Sequence, residues 1–145
     1  MKILIDADGC PVVDLTIKVA KKFDIEVIIM CDTSHIFNKP GIETIMLSKG
    51  ADSVDFALVN KVNKGDIVVT QDYGLAAMVL SKQGNPISQN GRVYTSENID
   101  QLLFTRHISK KVRSAGGRMK GPKKRDKEDD IKFEEGLIKL CKELS

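Results

Sequence analysis

Five aspartates stand where they could do chemistry together. Asp6 and Asp8 follow an apolar run, Lys2–Asp6, that reads as a short buried strand. Asp52 and Asp55 lie between the run Glu43–Leu47 and a helical stretch, and Asp72 follows the apolar run 66–70. In an open parallel sheet the loops after the strands share one edge, and ligands bind there. Acids from three segments are therefore expected on one rim. Carboxylates brought together repel unless they share a cation or a proton. Hard oxygen ligands suit Mg²⁺ or Mn²⁺ rather than zinc, and such an ion on phosphate oxygens can position a water and stabilise a leaving oxygen.

The same acids have plainer uses. Asp72 can cap a helix beginning near Leu75, and Asp52 one beginning at Ser53. Asp55 suits the first turn of that helix through the helix dipole. A strand end offers Asp6 and Asp8 no comparable role. Asp14, a helical turn further on, reads as solvent-facing. The neighbours Asp32, Thr33, Ser34 and His35 are triad residue types, but adjacent residues cannot stack into a nucleophile–base–orienter line; His35 could instead reach the rim. Cys10 at a helix start could have a lowered pKa, and packing is the simpler reading. Gly9, Gly50 and Gly74 fall in the same three loops, as turns or as points of close approach.

The elements that must position these acids alternate. Strands are expected at 2–6, 26–31, 43–47 and 66–70, with a fifth at 92–95 after the Asn90-Gly91 turn. Helices are expected from Pro11, taken as a first helical residue, to Phe23, then at 53–62 and 75–82. Another starts at Asn98, paired with Gln101 as a capping box, and runs to about Arg113. A last amphipathic helix carries Phe133, Leu137, Leu140 and Leu144 at four-three-four spacing. Apolar strands alternating with amphipathic helices argue for a single α/β domain, its sheet mostly parallel with helices on both faces. The expected organisation is an α/β domain over 1–113, a basic Gly/Pro linker over 114–126 and a C-terminal helix over 127–145 packing on the same domain.

The chain has 145 residues, 41% hydrophobic and 30% charged, which fits one globular domain and not a disordered one. No apolar run is long enough to span a bilayer. Asp6 interrupts the stretch that a secretory signal needs, so a cytoplasmic location is expected. Three dispersed cysteines support neither a disulfide framework nor a zinc ribbon. The net charge of +3 hides an asymmetry: residues 105–125 carry nine basic side chains and no acid. They are Arg106, Lys110, Lys111, Arg113, Arg118, Lys120, Lys123, Lys124 and Arg125, a phosphate-binding footprint or a solvated face. The block has no aromatic, so it offers no base stacking.

The run Asp6-Ala7-Asp8-Gly9-Cys10-Pro11-Val12 resembles the opening of the YaiI/YqxD family of uncharacterised bacterial proteins. The match continues through Gly50-Ala51-Asp52-Ser53-Val54-Asp55, 65–72, Leu75-Ala76, Asn90-Gly91, Tyr94, Asn98-Ile99 and 116–122, nearly the whole chain. Gly9 stands where the family often has alanine, Tyr73-Gly74 where it often has Ile-Pro, and Gln89 where an arginine is common. The family looks like a distant relative of the PIN-like nucleases. That resemblance implies a PIN-like sheet and strand-end acids that bind Mg²⁺ or Mn²⁺ and cut RNA. By it, Asp6, Asp52 or Asp55, and Asp72 are the carried-over ligands, with Asp8 beside them.

Three functions are therefore in play. The first is a Mg- or Mn-dependent ribonuclease or RNA-processing protein. Asp6, Asp8 and Asp72 would be its metal ligands, Asp52 and Asp55 would complete the site or orient water, and the basic block would hold RNA or another phosphate-bearing substrate. The second is a small-molecule phosphohydrolase of haloacid-dehalogenase type, since residues 3–9 also resemble that opening, with Asp6 as nucleophile and Asp8 as general acid. The third is a nucleic-acid-binding module without chemistry.

Overall fold

A computed structural model describes residues 1–33, 39–48, 53–114 and 124–145, without the side chains of 53, 106–110 and 112–114. The strands are β1 (Lys2–Asp6), β2 (Glu26–Asp32), β3 (Glu43–Leu47), β4 (Ile67–Val69) and β5 (Asn85–Ile87). The helices are α1 (Val13–Phe23), α2 (Ser53–Lys61), α3 (Tyr73–Ser81), α4 (Ser96–Ser114) and α5 (Lys127–Leu144). All five strands are parallel, in the order β3-β2-β1-β4-β5. This is the expected α/β class and is consistent with a PIN-like fold.

Strand alternation builds two cores. Ile3 and Ile5 of β1 face one side with Val27, Ile29, Ile67, Val69 and Ile87, and pack under α1 and α5 through Val13, Ile17, Phe133 and Leu137. Leu4 faces the other side with Ile28, Met30 and Val68, and packs under α2 and α3 through Val54, Leu58, Leu75 and Val79. Burial on both faces explains why the central strands read as continuous apolar runs. A smaller cluster of Ala76, Tyr94 and Ile99 joins α3 to α4. At the start of the sheet the Lys2 ammonium lies 2.6 Å from Asp66, pinning β1 to the turn before β4.

Four expectations change. The fifth strand is Asn85–Ile87, and not 92–95. Pro86 hides it from a propensity reading, yet an edge strand tolerates proline. Residues 92–94 instead return antiparallel beside β5, with Ser88 N–H bonded to Arg92 O and Tyr94 N–H to Pro86 O. Pro11 precedes α1, because Gly9 at φ +69 closes a tight turn in which Cys10 N–H reaches Ala7 O. Thr95, and not Asn98, caps α4: Asn98 N–H bonds Thr95 Oγ1 at 3.1 Å, and Thr95 N–H bonds Asn98 Oδ1 at 2.9 Å. In α5 the apolar stripe stops at Leu140 and Cys141, and Leu144 is exposed.

Candidate active site

The sheet reverses its winding between β1 and β4, since the chain moves outward from β1 to β3 and then returns to β1's other side. The strand ends at such a switch point diverge and leave a crevice. Asp6 ends β1 there, and Thr70 is the first residue past β4. A cavity of about 60 Å³ opens between them, lined by Asp6, Asp8, Cys10, Thr70, Gln71 and Gln89 among others.

Asp6 is held rather than merely exposed. The Thr70 hydroxyl donates to Asp6 Oδ2 at 2.8 Å, and Asp72 N–H donates to Thr70 Oγ1 at 3.0 Å. Tyr94 fixes the same residue from behind, its hydroxyl donating to Thr70 O at 3.2 Å. Burial pushes the Asp6 carboxyl up to about 6 against the lowering effect of the Thr70 bond. Asp55, Asp72 and Asp8, in decreasing order, push it up further by charge. Acids of three separate segments thus act on one carboxyl, as the strand-end reading expects.

The four are not equivalent. Asp72 is the cap of α3, with Leu75 N–H bonded to Oδ1 at 3.1 Å. Its capping role and its place on the rim coexist. Asp8 accepts the Asp32 N–H on both oxygens, at 3.1 and 3.3 Å, and ties the loop after β1 to the end of β2. Asp55, in the first turn of α2, acts on Asp6 through its charge. Asp52, His35 and Gly50 lie outside the described residues. Cys10 lines the cavity, but burial pushes its thiol up, so it is not an activated thiolate. Asp14 faces solvent, as expected, and is paired with Lys39 at 2.8 Å.

Among the described residues, no three His, Cys, Asp or Glu side chains stand together as a set able to hold a metal ion. Asp6, Asp8 and Asp72 therefore do not form a closed cage. Magnesium does not require one: it usually keeps several waters and takes one or two carboxylates together with substrate phosphates. The cavity offers the carboxyls of Asp6 and Asp8 beside the Thr70 hydroxyl and the Gln71 and Gln89 carboxamides, with the Cys10 thiol among them.

A model described as "Uncharacterized BCR, YaiI/YqxD family" matches residues 4–143. The chain belongs to the YaiI/YqxD family. A UPF0178 protein of Exiguobacterium sibiricum is 57% identical over 143 residues, covering 99% of this chain and 98% of that one. UPF0178 proteins of Clostridium acetobutylicum and Ruminiclostridium cellulolyticum are 49% and 51% identical over 142 residues, covering 97% and 98% of this chain and 96% and 93% of theirs. No solved structure matches the chain. In this YaiI/YqxD protein no described helix is long and apolar enough to cross a membrane.

The basic block is only partly described. Arg118, Lys120 and Lys123 lie outside the described residues, as do the side chains of Arg106, Lys110 and Arg113. Lys111 and Lys124 are exposed. Arg125 is different. Its Nε donates to Asp130 Oδ1 at 2.9 Å, its Nη2 lies 2.7 Å from the same oxygen, and its Nη1 donates to Asn90 Oδ1 at 3.1 Å. It fastens the start of α5 to the turn beside the cavity, and its charge is felt at Cys10. Sequence reasoning gave no role to Thr70, Gln71 or Gln89. A polar residue ending an apolar strand two positions before Asp72 was the available signal for Thr70.

Proposed function

We propose that this protein is a Mg²⁺- or Mn²⁺-dependent ribonuclease acting in the cytoplasm. The observation that carries this is Asp6: a partly buried carboxyl at the switch point, raised to about 6 by burial and then by Asp55, Asp72 and Asp8. Such a field is relieved by a cation. Asp6 and Asp72 would hold the ion. When bound, it would supply charge stabilisation to the phosphate and its leaving oxygen. Thr70 orients Asp6 by its hydrogen bond, and α3 orients Asp72 by the cap. Asp55, with Asp52 as its sequence partner, would orient the attacking water and take its proton. The remaining basic residues, Arg106, Lys110, Lys111, Arg113, Arg118, Lys120, Lys123 and Lys124, would neutralise RNA phosphates. Arg125 would act mainly as a fastener.

The bonds of Asp8 favour this over the aspartyl-phosphate alternative. A general acid must swing its proton to a leaving group, whereas both Asp8 oxygens face the Asp32 N–H. The test is cleavage of a labelled single-stranded RNA in Mn²⁺ by wild type and Asp6→Asn, with calorimetric Mn²⁺ titration of both. Cleavage and specific Mn²⁺ binding, both lost in the variant, are expected. Undiminished cleavage by Asp6→Asn would refute the proposal. Salt-sensitive RNA affinity without any cleavage would leave a binding module.

A further inference from the structure

Beside the acid cavity lies a second hollow of about 200 Å³, lined by Gln71, Tyr73, Ser88, Asn90, Arg92, Tyr94 and Leu102. Gln71 lines both spaces, and its Oε1 accepts the Gln89 N–H at 3.2 Å, so this pair forms the partition between them. The walls are mixed. Tyr73 is half-buried and meets the buried Tyr94 edge-on, ring centroids 5.9 Å apart at 67°. Leu102 supplies an apolar wall from α4, and the exposed Arg92 a cation at the mouth. Aromatic faces beside a cation and carboxamides are what nucleobases use.

Donors predominate among the hydrogen-bonding groups of this wall. Ser88 Oγ already accepts the N–H of Asn90 and of Arg92, at 3.2 and 3.1 Å. Asn90 Oδ1 accepts Arg125 Nη1, and Gln71 Oε1 accepts Gln89 N–H. Each of these oxygens already takes at least one donor, while the Arg92 guanidinium, the two carboxamide NH₂ groups and the Ser88 hydroxyl hydrogen are donors. A donor wall selects a base edge made of acceptors. Guanine offers adjacent N7 and O6, which a guanidinium can take bidentately, and uracil offers carbonyls. On the same edge adenine and cytosine present an amino donor.

We infer that this hollow is a base subsite for a guanine or uracil of single-stranded RNA, with Tyr73 as the stacking platform and Arg92 as the edge reader. The inference rests on the ribonuclease reading for its place beside the scissile phosphate, but its binding test does not require cleavage. The experiment is calorimetric titration of the full chain with GMP, UMP, AMP, CMP and ribose 5-phosphate. GMP and UMP are expected to bind about tenfold tighter than AMP, CMP or ribose 5-phosphate, and Tyr73→Ala to remove about tenfold, the size of one base stack. Arg92→Ala, at an exposed position that should leave folding untouched, is expected to erase the preference for GMP over AMP. Tyr73→Phe should bind as wild type does. Equal binding of all five ligands, or an unchanged GMP preference in Arg92→Ala, overturns the subsite. Selective GMP binding without RNA cleavage keeps the subsite and removes the ribonuclease. Asp6-dependent cleavage with equal binding of the five ligands does the reverse.

Discussion

The Thr70 hydroxyl donates to Asp6 Oδ2 over 2.8 Å and itself accepts the Asp72 N–H over 3.0 Å. One side chain thus couples the ends of β1 and α3, the two segments whose acids meet at the rim. Its bond lowers the Asp6 carboxyl while burial and three neighbouring acids raise it. Replacing Thr70 with valine keeps the shape and removes the donor. Asp6 in Thr70→Val is expected to titrate above the wild-type value of about 6. Carboxyl-detected NMR titration reads this directly, and a value at or below that of wild type would show that the bond does not govern Asp6.

Asp6 also links function to stability. A carboxyl whose folded value is about 6, against 3.8 unperturbed, destabilises the fold when ionised. The penalty is absent below about 3.8, grows between 3.8 and 6, and is constant above. Asp6→Asn removes it while still offering an oxygen to Thr70. The metal-free variant is expected to be more stable than wild type at pH 7.5, by ~1–3 kcal/mol after allowing for solvent screening, and no more stable at pH 3.5. Urea unfolding at the two pH values decides this. Equal stability at pH 7.5 would mean that neither burial nor the neighbouring acids burden the Asp6 carboxylate.

Much of this arrangement is legible in the sequence, and the failures have local causes. The central strands are buried on both faces, so the runs around Ile3-Leu4-Ile5 and Val68-Val69 announce themselves. Because loops after parallel strands share an edge, Asp6, Asp55 and Asp72 could be placed on one rim without knowing the strand order. The switch point could not, since it depends on β4 returning beside β1. β5 escaped notice because it is three residues long and contains Pro86, whereas 92–94 alternates like a strand but makes only a single bridge, Val93 to Ile87. Arg125 reads as one more cation in a basic run. Its partners Asn90 and Asp130 are 35 and 5 residues away, so only tertiary structure separates it from its neighbours.

The opposite end of the sheet sets the acid limit. Burial would raise Asp66, but the Lys2 side chain and the N–H groups of Asn63 and Lys2 outweigh it and hold the carboxyl below its ordinary value. Such a group stabilises the fold above the unfolded value of 3.8, and the contribution is lost as pH falls through the lower folded value. Lys2→Met leaves Asp66, 4% exposed, without its ammonium partner. A loss of ~1–3 kcal/mol at pH 7 is expected, shrinking as Asp66 becomes protonated. A loss that is the same at pH 7 and pH 2.5 would assign it to packing of the Lys2 stem instead.

The last prediction concerns how α5 is held beside the cavity. Gly136 in α5 lies against the Asn90-Gly91 turn, so that a β-carbon placed on it would stand 2.6 Å from Gly91 O and 2.9 Å from Gly91 Cα. Gly91 has φ +83, and a β-carbon there would strike Lys132 O, so neither partner can grow. Glycine inside a helix ordinarily costs stability relative to alanine, and close approach of the two backbones is what requires it here. Gly136→Ala therefore has the opposite sign to the usual helix rule. A loss of ~1–3 kcal/mol is expected from overpacking against backbone that cannot yield. Because Phe133 and Leu137 of the same helix are fully buried in the core with α1, the variant is expected to lose hydrogen-exchange protection in α5 and α1 before α2 and α3. A stabilised variant would show that the turn moves aside and that the glycine contact is not what fixes the helix at the rim.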